Sequence, residues 1–502
     1  MPERLNGPVL KAGVGLVLTV GSNPTSSVLP ARTYRIVGLI AVAVTVLSSI
    51  NPAHAAQQPD RVVRIQIETA NSLGTIPEDF IGFGYETSAV AQSDFFAAKN
   101  TRMIRLYSNL ARRGLIRIGG NVSDHTQFIP DGTPAVKTER ETTVINRENL
   151  AGLSGFAQAT GWRVMWGLNL GTGTREQATV EAVAVDQSLG PYLQSFEIGN
   201  EVDLMRKFKD FDAYHAAYVD YKATIRARLP HATFSGPDAA GSLEFARKFV
   251  AAESADMKLV THHYYRTGAR RPEATMDFLL ARDQRFDVRL DLLRDLATQH
   301  HLDYRINEVN SFYGGGKQGV SDVFGSALWC LDFMFNLASH GCSGVNMETD
   351  INQLGFISFY SPIVHDAAGI CSARPEYYGM LAFAMAGHGR LLKTSVDKGD
   401  VNLAAYATRD GSGSIYLTVI NKDLAQDVTI ECPLPAGCKT VEAYRLSAPA
   451  PDARTGITFA GRAVSDDGSW ALAIPAAVPV VAGVARPALP HASAAVLKFA
   501  TE

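Results

Sequence analysis

Charge is scarce in this sequence. Only 19% of its 502 residues are Asp, Glu, Lys or Arg, and 46% are hydrophobic, which excludes a chain held open by charge and starved of apolar side chains. The formal net charge is −3, so nothing in the overall balance draws the chain to nucleic acid, and affinity for a polyanion has to come from local patches. Cysteine is limited to five residues, too few and odd in number for a disulfide framework. The apolar run from Ile36 to Ile50 is too short for a membrane span. No internal repeat or low-complexity segment stands out, which removes solenoids and fibrous arrays.

The apolar run follows Arg32 and Arg35 and leads into Ala53-His54-Ala55. Together these are the marks of a secretory signal over about residues 28–55, cleaved after Ala55. A start near Val28 is expected, because such signals open a chain; an N-terminal membrane anchor is the alternative. The mature protein is then expected to be secreted or periplasmic, without stable membrane insertion, where disulfides are permitted. Cys432 and Cys438 flank "PLPAG" and are the pair the spacing suggests, while Cys330, Cys342 and Cys371 read equally as buried thiols.

Two textures follow. Between Ile81 and Met385, eight β-rich runs alternate with helical stretches: "IGFGYET", "LIRIGGN", "WRVMWGLNL", "SFEIGNE", "ATFSGPD", "KLVTHHYY", "YRINEVN" and "GVNMETD". Eight such alternations predict an α/β fold, a (β/α)8 TIM barrel, with an open doubly wound sheet as the alternative. "DFDAYHAAYVDYKATIRARL" reads as an amphipathic helix with Asp210 as N-cap and Tyr214, Tyr218 and Tyr221 on its core face. After Gly389 the period becomes two. Val401, Leu403 and Ala405, then "TRDGSGS", then Ile415, Leu417 and Val419 outline a hairpin within a C-terminal β-sandwich. The expected organisation is a leader over 1–55, a strand within 56–80 ("RVVRIQIE") joining the β-domain, the barrel over 81–388 and the sandwich over 389–502.

In a TIM barrel the chemistry sits at the C-terminal strand ends. Here those ends carry Glu86, Asn121, Asn200-Glu201, His262-His263-Tyr264-Tyr265, Glu308 and Glu348. Glu201 after the fourth strand and Glu308 on the seventh face each other across the mouth. Paired carboxylates suit glycoside hydrolysis, one donating a proton to the leaving oxygen and the other attacking the anomeric carbon or activating water. In such a pair the ionised partner keeps the acid protonated, and its esterification later frees the first group to act as base. The bland alternative is a set of solvated strand ends. His262-His263 lacks a third residue at metal spacing. Glu197, inside the fourth strand, reads as structural, in the barrel wall or an ion pair.

Several stretches together resemble the heparanases and bacterial β-glucuronidases among the retaining glycoside hydrolases: "RIGGNVSD", "IGNEVDL", "HHYY" and "NEVNSFYGGGKQGVSDVFGSALWCLD". The resemblance implies Glu201 as general acid/base and Glu308 as nucleophile, with Asn200 on the sugar 2-OH. It also implies Glu86 and Asn121 on sugar hydroxyls, His262 at the substrate, and Tyr264 orienting the nucleophile. Glycines let backbone N–H groups approach an anion. By the same resemblance Tyr313, Gly314 and Gly315, with Tyr360 and Lys317, hold the glucuronate carboxylate.

The partner implied is a glucuronic-acid-containing oligo- or polysaccharide, and no metal or cofactor is called for, because the two carboxylates supply proton and nucleophile. The basic clusters Arg206-Lys207-Lys209 and Arg266 with Arg270-Arg271 follow barrel strands and hint at an anionic polymer. The expectation is a retaining, heparanase-like β-glucuronidase acting on heparan-sulfate-type chains. An exo-acting β-glucuronidase and a non-catalytic carbohydrate-binding barrel are the alternatives, and the oligomeric state stays open.

Overall fold

The computed structural model describes residues 61–92, 94–130, 143–352 and 355–500; the leader expected over 28–55 lies outside them. No helix among the described residues is long and apolar enough to cross a membrane.

Eight strands, Gly82–Glu86, Leu115–Gly119, Arg163–Leu168, Leu193–Ile198, Phe234–Ala239, Met257–Gly268, Tyr304–Tyr313 and Val345–Glu348, close in chain order into a barrel. These are the eight runs read from the sequence. Helices fill the connections because the local chemistry starts them cleanly. Asp210 accepts from Ala213 N at the head of Phe211–Arg228, and Asn146 and Thr174 close reciprocal capping boxes on the next residues. Tyr214, Tyr218 and Tyr221 are buried on the barrel side of their helix. The helix Phe324–Ser339 is buried almost all round, as its apolar sequence requires.

The barrel interior changes character along its axis. Leu115, Met165 and Leu259 form a small apolar cluster of their own that plugs the N-terminal end. Further along, alternation brings Arg117 and Thr261 inward on two of these strands and Glu197 on the fourth, and all three are fully buried. The polar groups thus accumulate toward the C-terminal mouth.

The second body is a twelve-stranded sheet curled into the sandwich-like domain expected at the C-terminus. Its innermost member is N-terminal: Arg61–Ile76 pairs antiparallel with Gly389–Asp397 and parallel with Val428–Pro433. The barrel is therefore inserted between the first strand of the sheet and the rest. The expected hairpin is present, with Leu403–Arg409 antiparallel to Ile415–Asn421 around a turn in which Asp410 accepts from Ser412 N and Ser414 N. Period two sorts the side chains. Leu417, Val419 and Leu497 fill the sheet's own core, whereas Ile420 and Val496 join the barrel core.

The cysteines correct one expectation. All five are free thiols, Cys432 and Cys438 included. Cys432 is sealed in the core of the sheet while Cys438 stands half-exposed beside it, so the short turn between them keeps the two sulfurs apart.

Barrel and sheet are tied by one buried ion pair. Asp332, in the middle of Phe324–Ser339, meets Lys422 Nζ at 2.6 Å and accepts from Tyr406 Oη at 2.8 Å. Burial opposes ionisation of Asp332, but Lys422 outweighs it and holds the carboxyl below its ordinary value. Removing one partner strands the other charge. Lys422→Met is expected to lower stability by about 3–5 kcal/mol in urea unfolding, and Lys422→Met with Asp332→Leu to recover most of it.

Candidate active site

A cavity of about 660 Å³ opens at the C-terminal mouth, lined by Glu86, Asn121, Glu201, His263, Tyr265, Glu308, Tyr313, Gly314, Gly315, Glu348, Asp350 and Tyr360, among others. Glu201 and Glu308 face each other in it. One carboxylate oxygen of each lies within 4.8 Å of the other and of a His263 ring nitrogen. Side-chain exposure of 23% for Glu201 and 10% for Glu308 leaves the first in reach of water and the second recessed.

Backbone irregularities put these groups where they are. The seventh strand carries an extra residue, for Ile306 pairs with His262 and Glu308 with the next residue, His263. This bulge at Asn307 lets two consecutive side chains face inward: Asn307 donates to Glu197 at 3.0 Å, and Glu308 reaches the cavity. A second bulge lies at Asp238 on the fifth strand. The fourth strand ends in a turn where Gly199 has φ of +85° and Glu201 of +46°. A left-handed conformation at a non-glycine residue costs roughly 1–2 kcal/mol, so the neighbours must hold Glu201 there.

The central cation of the site is Arg117, wholly buried. Its guanidinium donates to Glu308 Oε2 at 2.7 Å, to Asn200 Oδ1 and Asp238 Oδ2 at 2.6 Å each, and to Glu197 Oε2 at 3.4 Å. The other oxygen of Glu308 accepts from Tyr265 Oη at 2.9 Å. The nucleophile candidate is thus fixed on both oxygens with one face toward the cavity. His263 Nε2 meets Asp238 Oδ1 at 2.6 Å, while Nδ1 faces Glu201 Oε1 at 3.3 Å and Glu308 Oε2 at 3.6 Å.

Protonation follows from these contacts. Burial pulls the His263 imidazole toward its neutral form, but the charges of Asp238 and Glu308 outweigh it and hold it well above its usual value. As an imidazolium it acts as a double donor. Burial likewise opposes ionisation of Asp238, and Arg117 and His263 overcome it to hold this carboxyl below its ordinary value. Glu197 goes the other way, pushed up to about 8 by burial and by Asp238, and keeps its proton at neutral pH. Two cations, Arg117 and His263, then face two anions, Asp238 and Glu308.

The far wall is also acidic. Glu86 is pushed up to about 8, first by burial and then by Glu308 and Asp350. Glu348 is raised well above the carboxylate range by burial, by Glu308, by Glu86 and by Asp350, and its buried Oε2 has no hydrogen-bond partner among the described residues. Both therefore enter the site as neutral donors. Gly314, Gly315 and Gly316 all have positive φ, near +80°, a path open to glycine and strained for any other residue. Gly314 and Gly315, for whose N–H groups the fold has no acceptor among the described residues, line the cavity together with Tyr360.

Glu86, Asn121, Glu201, Tyr313, Gly314, Gly315, Glu308 and Tyr360 are brought together in this cavity. Asn200 sits just behind, its amide bound to Arg117 and Asn121 with one N–H left to donate. Three expectations are corrected. His262 and Tyr264 lie one residue out of phase with the interior face: His262 Nδ1 binds the carbonyl of His263, and Tyr264 stacks on Phe286 and Phe333 of the outer helices. Their neighbours His263 and Tyr265 take the places in the cavity. Lys317 is not among the cavity residues, its loop being drawn back by the bond from Lys317 N to Ser321 Oγ at 2.9 Å. Arg117, Asp238 and Asp350 belong to the site and were not singled out from the sequence; for Arg117 the signal was an arginine between Ile116 and Ile118 on an otherwise apolar strand.

Because Asp238 is held below its ordinary value, its pairing stabilises the fold above the normal carboxylate range and fades as pH falls through it. Arg117→Lys, which cannot fork toward four acceptors, is expected to be several kcal/mol less stable than wild type at pH 7. The deficit should shrink toward pH 3 in urea titrations.

No protein-family model matches the sequence. A β-glucuronidase of Aspergillus niger is 26% identical across 63% of this chain and 66% of that protein, and a β-glucuronidase of Neurospora crassa is 24% identical across 70% and 68%. The chain thus spans about two thirds of the length of these relatives. Among solved structures, a 4-O-α-L-rhamnosyl-β-D-glucuronidase of Fusarium oxysporum superposes with a TM-score of 0.72 at 18% identity, over 86% of this chain and 99% of that one. A family 51 α-L-arabinofuranosidase of Bifidobacterium longum gives 0.65 at 13% identity, over 87% and 99%. These structures share the fold, a barrel with an attached sheet domain, and both of the sequence relatives are β-glucuronidases.

Proposed function

We propose that this chain is a retaining β-glucuronidase that acts through a covalent glycosyl-enzyme intermediate. The observation that carries the proposal is the pair itself: carboxylate oxygens of Glu201 and Glu308 within 4.8 Å of each other match a retaining separation of about 5 Å and leave too little room for the attacking water of an inverting enzyme. Glu201 donates its proton to the glycosidic oxygen as Glu308 Oε attacks the anomeric carbon and the bond to the leaving group breaks. Water then enters, gives its proton to Glu201 and displaces Glu308. Arg117 and Tyr265 aim the nucleophile, and the imidazolium of His263 spans the two carboxylates.

The sugar carboxylate fits between the N–H groups of Gly314 and Gly315 and Tyr360, with the neutral acids Glu86 and Glu348 adding donors without adding charge. For the substrate beyond that sugar, two flanking cavities are basic. One, sharing Ala240 and Tyr265 with the catalytic cavity, carries Arg266, Arg282, Arg285 and Arg289; the other, sharing Asn121 and Glu201, carries Arg206 and Lys207. This placement favours a sulfated or uronic-acid-rich chain of the heparan-sulfate type over a neutral glycan. Exo-action on terminal glucuronate is the second reading, favoured by the deep acidic wall at Glu86, Glu348 and Asp350. The signal-like stretch over about residues 28–55 supports export from the cytoplasm.

Incubation with an aryl β-glucuronide and with heparan sulfate separates these readings. Wild type is expected to release the aryl group and to give the β anomer first by NMR, and Glu308→Gln to lose at least about 10³-fold in kcat. Rapid shortening of the polymer marks endo-action, and release of monosaccharide alone marks exo-action; turnover of neither substrate rejects the function. Glu86 supplies a further check. Below pH 8 it is neutral, and above it a new negative charge stands beside the sugar carboxylate. KM for the aryl glucuronide is therefore expected to rise about tenfold as pH passes from 7 to 9, and Glu86→Gln to flatten that rise.

A further inference from the structure

We propose that Asp124 is a positioning residue for the general acid: by clamping the turn Gly199-Asn200-Glu201, it sets the carboxyl of Glu201 against the leaving oxygen. Asp124 follows the short helix after the second strand and is 7% exposed. It does not line the catalytic cavity; it borders the adjoining one together with Asn200 and Glu201. Its carboxylate collects three backbone N–H groups from two different strand ends, Leu170 and Gly171 at 3.1 Å on Oδ1 and Asn200 at 3.2 Å on Oδ2. Its own carbonyl accepts from Thr172 N and Oγ1, both at 3.0 Å. The third and fourth strand ends are thereby sewn together at the residue before Glu201.

That residue is gripped twice. Arg117 and Asn121 hold the side chain of Asn200, but neither holds its backbone, and it is the backbone that carries the left-handed turn at Glu201. Such a conformation persists only where the surroundings over-determine it. Gly199 N on the carbonyl of Leu168 at 3.1 Å and Leu204 N on the carbonyl of Glu201 at 2.8 Å bracket the turn, and Asp124 holds the amide between them, so its removal loosens the peptide that sets the direction of Glu201. The nucleophile, on the other side of the cavity, has no contact with Asp124. The expected defect is therefore specific to proton donation.

This inference rests on Glu201 being the acid, and leaving-group dependence tests it. A dinitrophenyl β-glucuronide departs without a proton, whereas a phenyl β-glucuronide needs one. Asp124→Asn, Asp124→Ala and Gly171→Ala, whose new Cβ falls 2.6 Å from Asp124 Cβ, are expected to lower the phenyl-to-dinitrophenyl ratio of kcat/KM by about 10- to 100-fold. Loss of folded enzyme scales both substrates alike and leaves the ratio unmoved. Glu201→Ala is the reference and should lower the ratio at least as far. If Glu201→Ala lowers it and the Asp124 and Gly171 variants do not, the positioning role is overturned. If Glu201→Ala itself leaves the ratio unchanged, Glu201 is not the acid, and the proposed mechanism fails together with this inference.

Discussion

A guanidinium sealed from water is tolerable only if charge and hydrogen bonds surround it on every side, and in this protein that demand shapes the whole mouth of the barrel. Arg117 needs acceptors for a planar fork, and the fold brings them from four other places: Glu197 within the fourth strand, Asn200 past its end, Asp238 from a bulge and Glu308 from beside another. Each acceptor is thereby fixed in direction. A nucleophile aimed in this way has lost its rotamer freedom before substrate arrives, which is the preorganisation that electrostatic catalysis depends on. The same cation offsets the charge that the nucleophile and Asp238 bring into a buried site.

The acids of the cavity sort into two sets because the cations lie on one side only. Asp238 and Glu308 sit against Arg117 and His263 and carry charge there. Glu86, Glu348 and Glu197 lack enough cation contact to overcome burial and stay neutral. A cavity that is crowded with carboxyl groups is therefore far less negative than its composition suggests. That reconciles an acidic lining with an anionic sugar.

The barrel was legible because its signal is repetitive: eight apolar runs alternating with helical stretches leave few other folds. The carboxylate pair was legible because acidic residues at strand ends need a reason to be there. Parity was harder. In "HHYY" two histidines and two tyrosines stand side by side, and which of each pair turns inward depends on register set lower in the strand by Leu259 and Thr261. Tyr264 packs on Phe286 and Phe333, partners that sequence separation hides. The bulges at Asp238 and Asn307 leave no trace in hydrophobic period, so Asp238 was missed, whereas Glu308 was read from its place at a strand end and received its role as nucleophile from the resemblance.

The sheet domain has a part in the site although no residue of it lines the catalytic cavity. Three successive glycines make a loop with many accessible conformations, and a loose loop gathers its N–H groups onto an anion only by losing that freedom. Here the loop's far end is anchored from the sheet. Asp322 accepts from Gly319 N at 2.6 Å and meets Arg454 Nε at 2.9 Å, and the next helix begins by donating from Phe324 N and Gly325 N to the carbonyls of Ala453 and Pro451. Phe359 N, reaching back to the carbonyl of Gly315 at 2.7 Å, closes the other side. A catalytic barrel with a flexible recognition loop gains rigidity from a second body packed against it. The buried pair of Asp332 with Lys422 adds a polar tie to an interface that Ile420 and Val496 already pack into the barrel core.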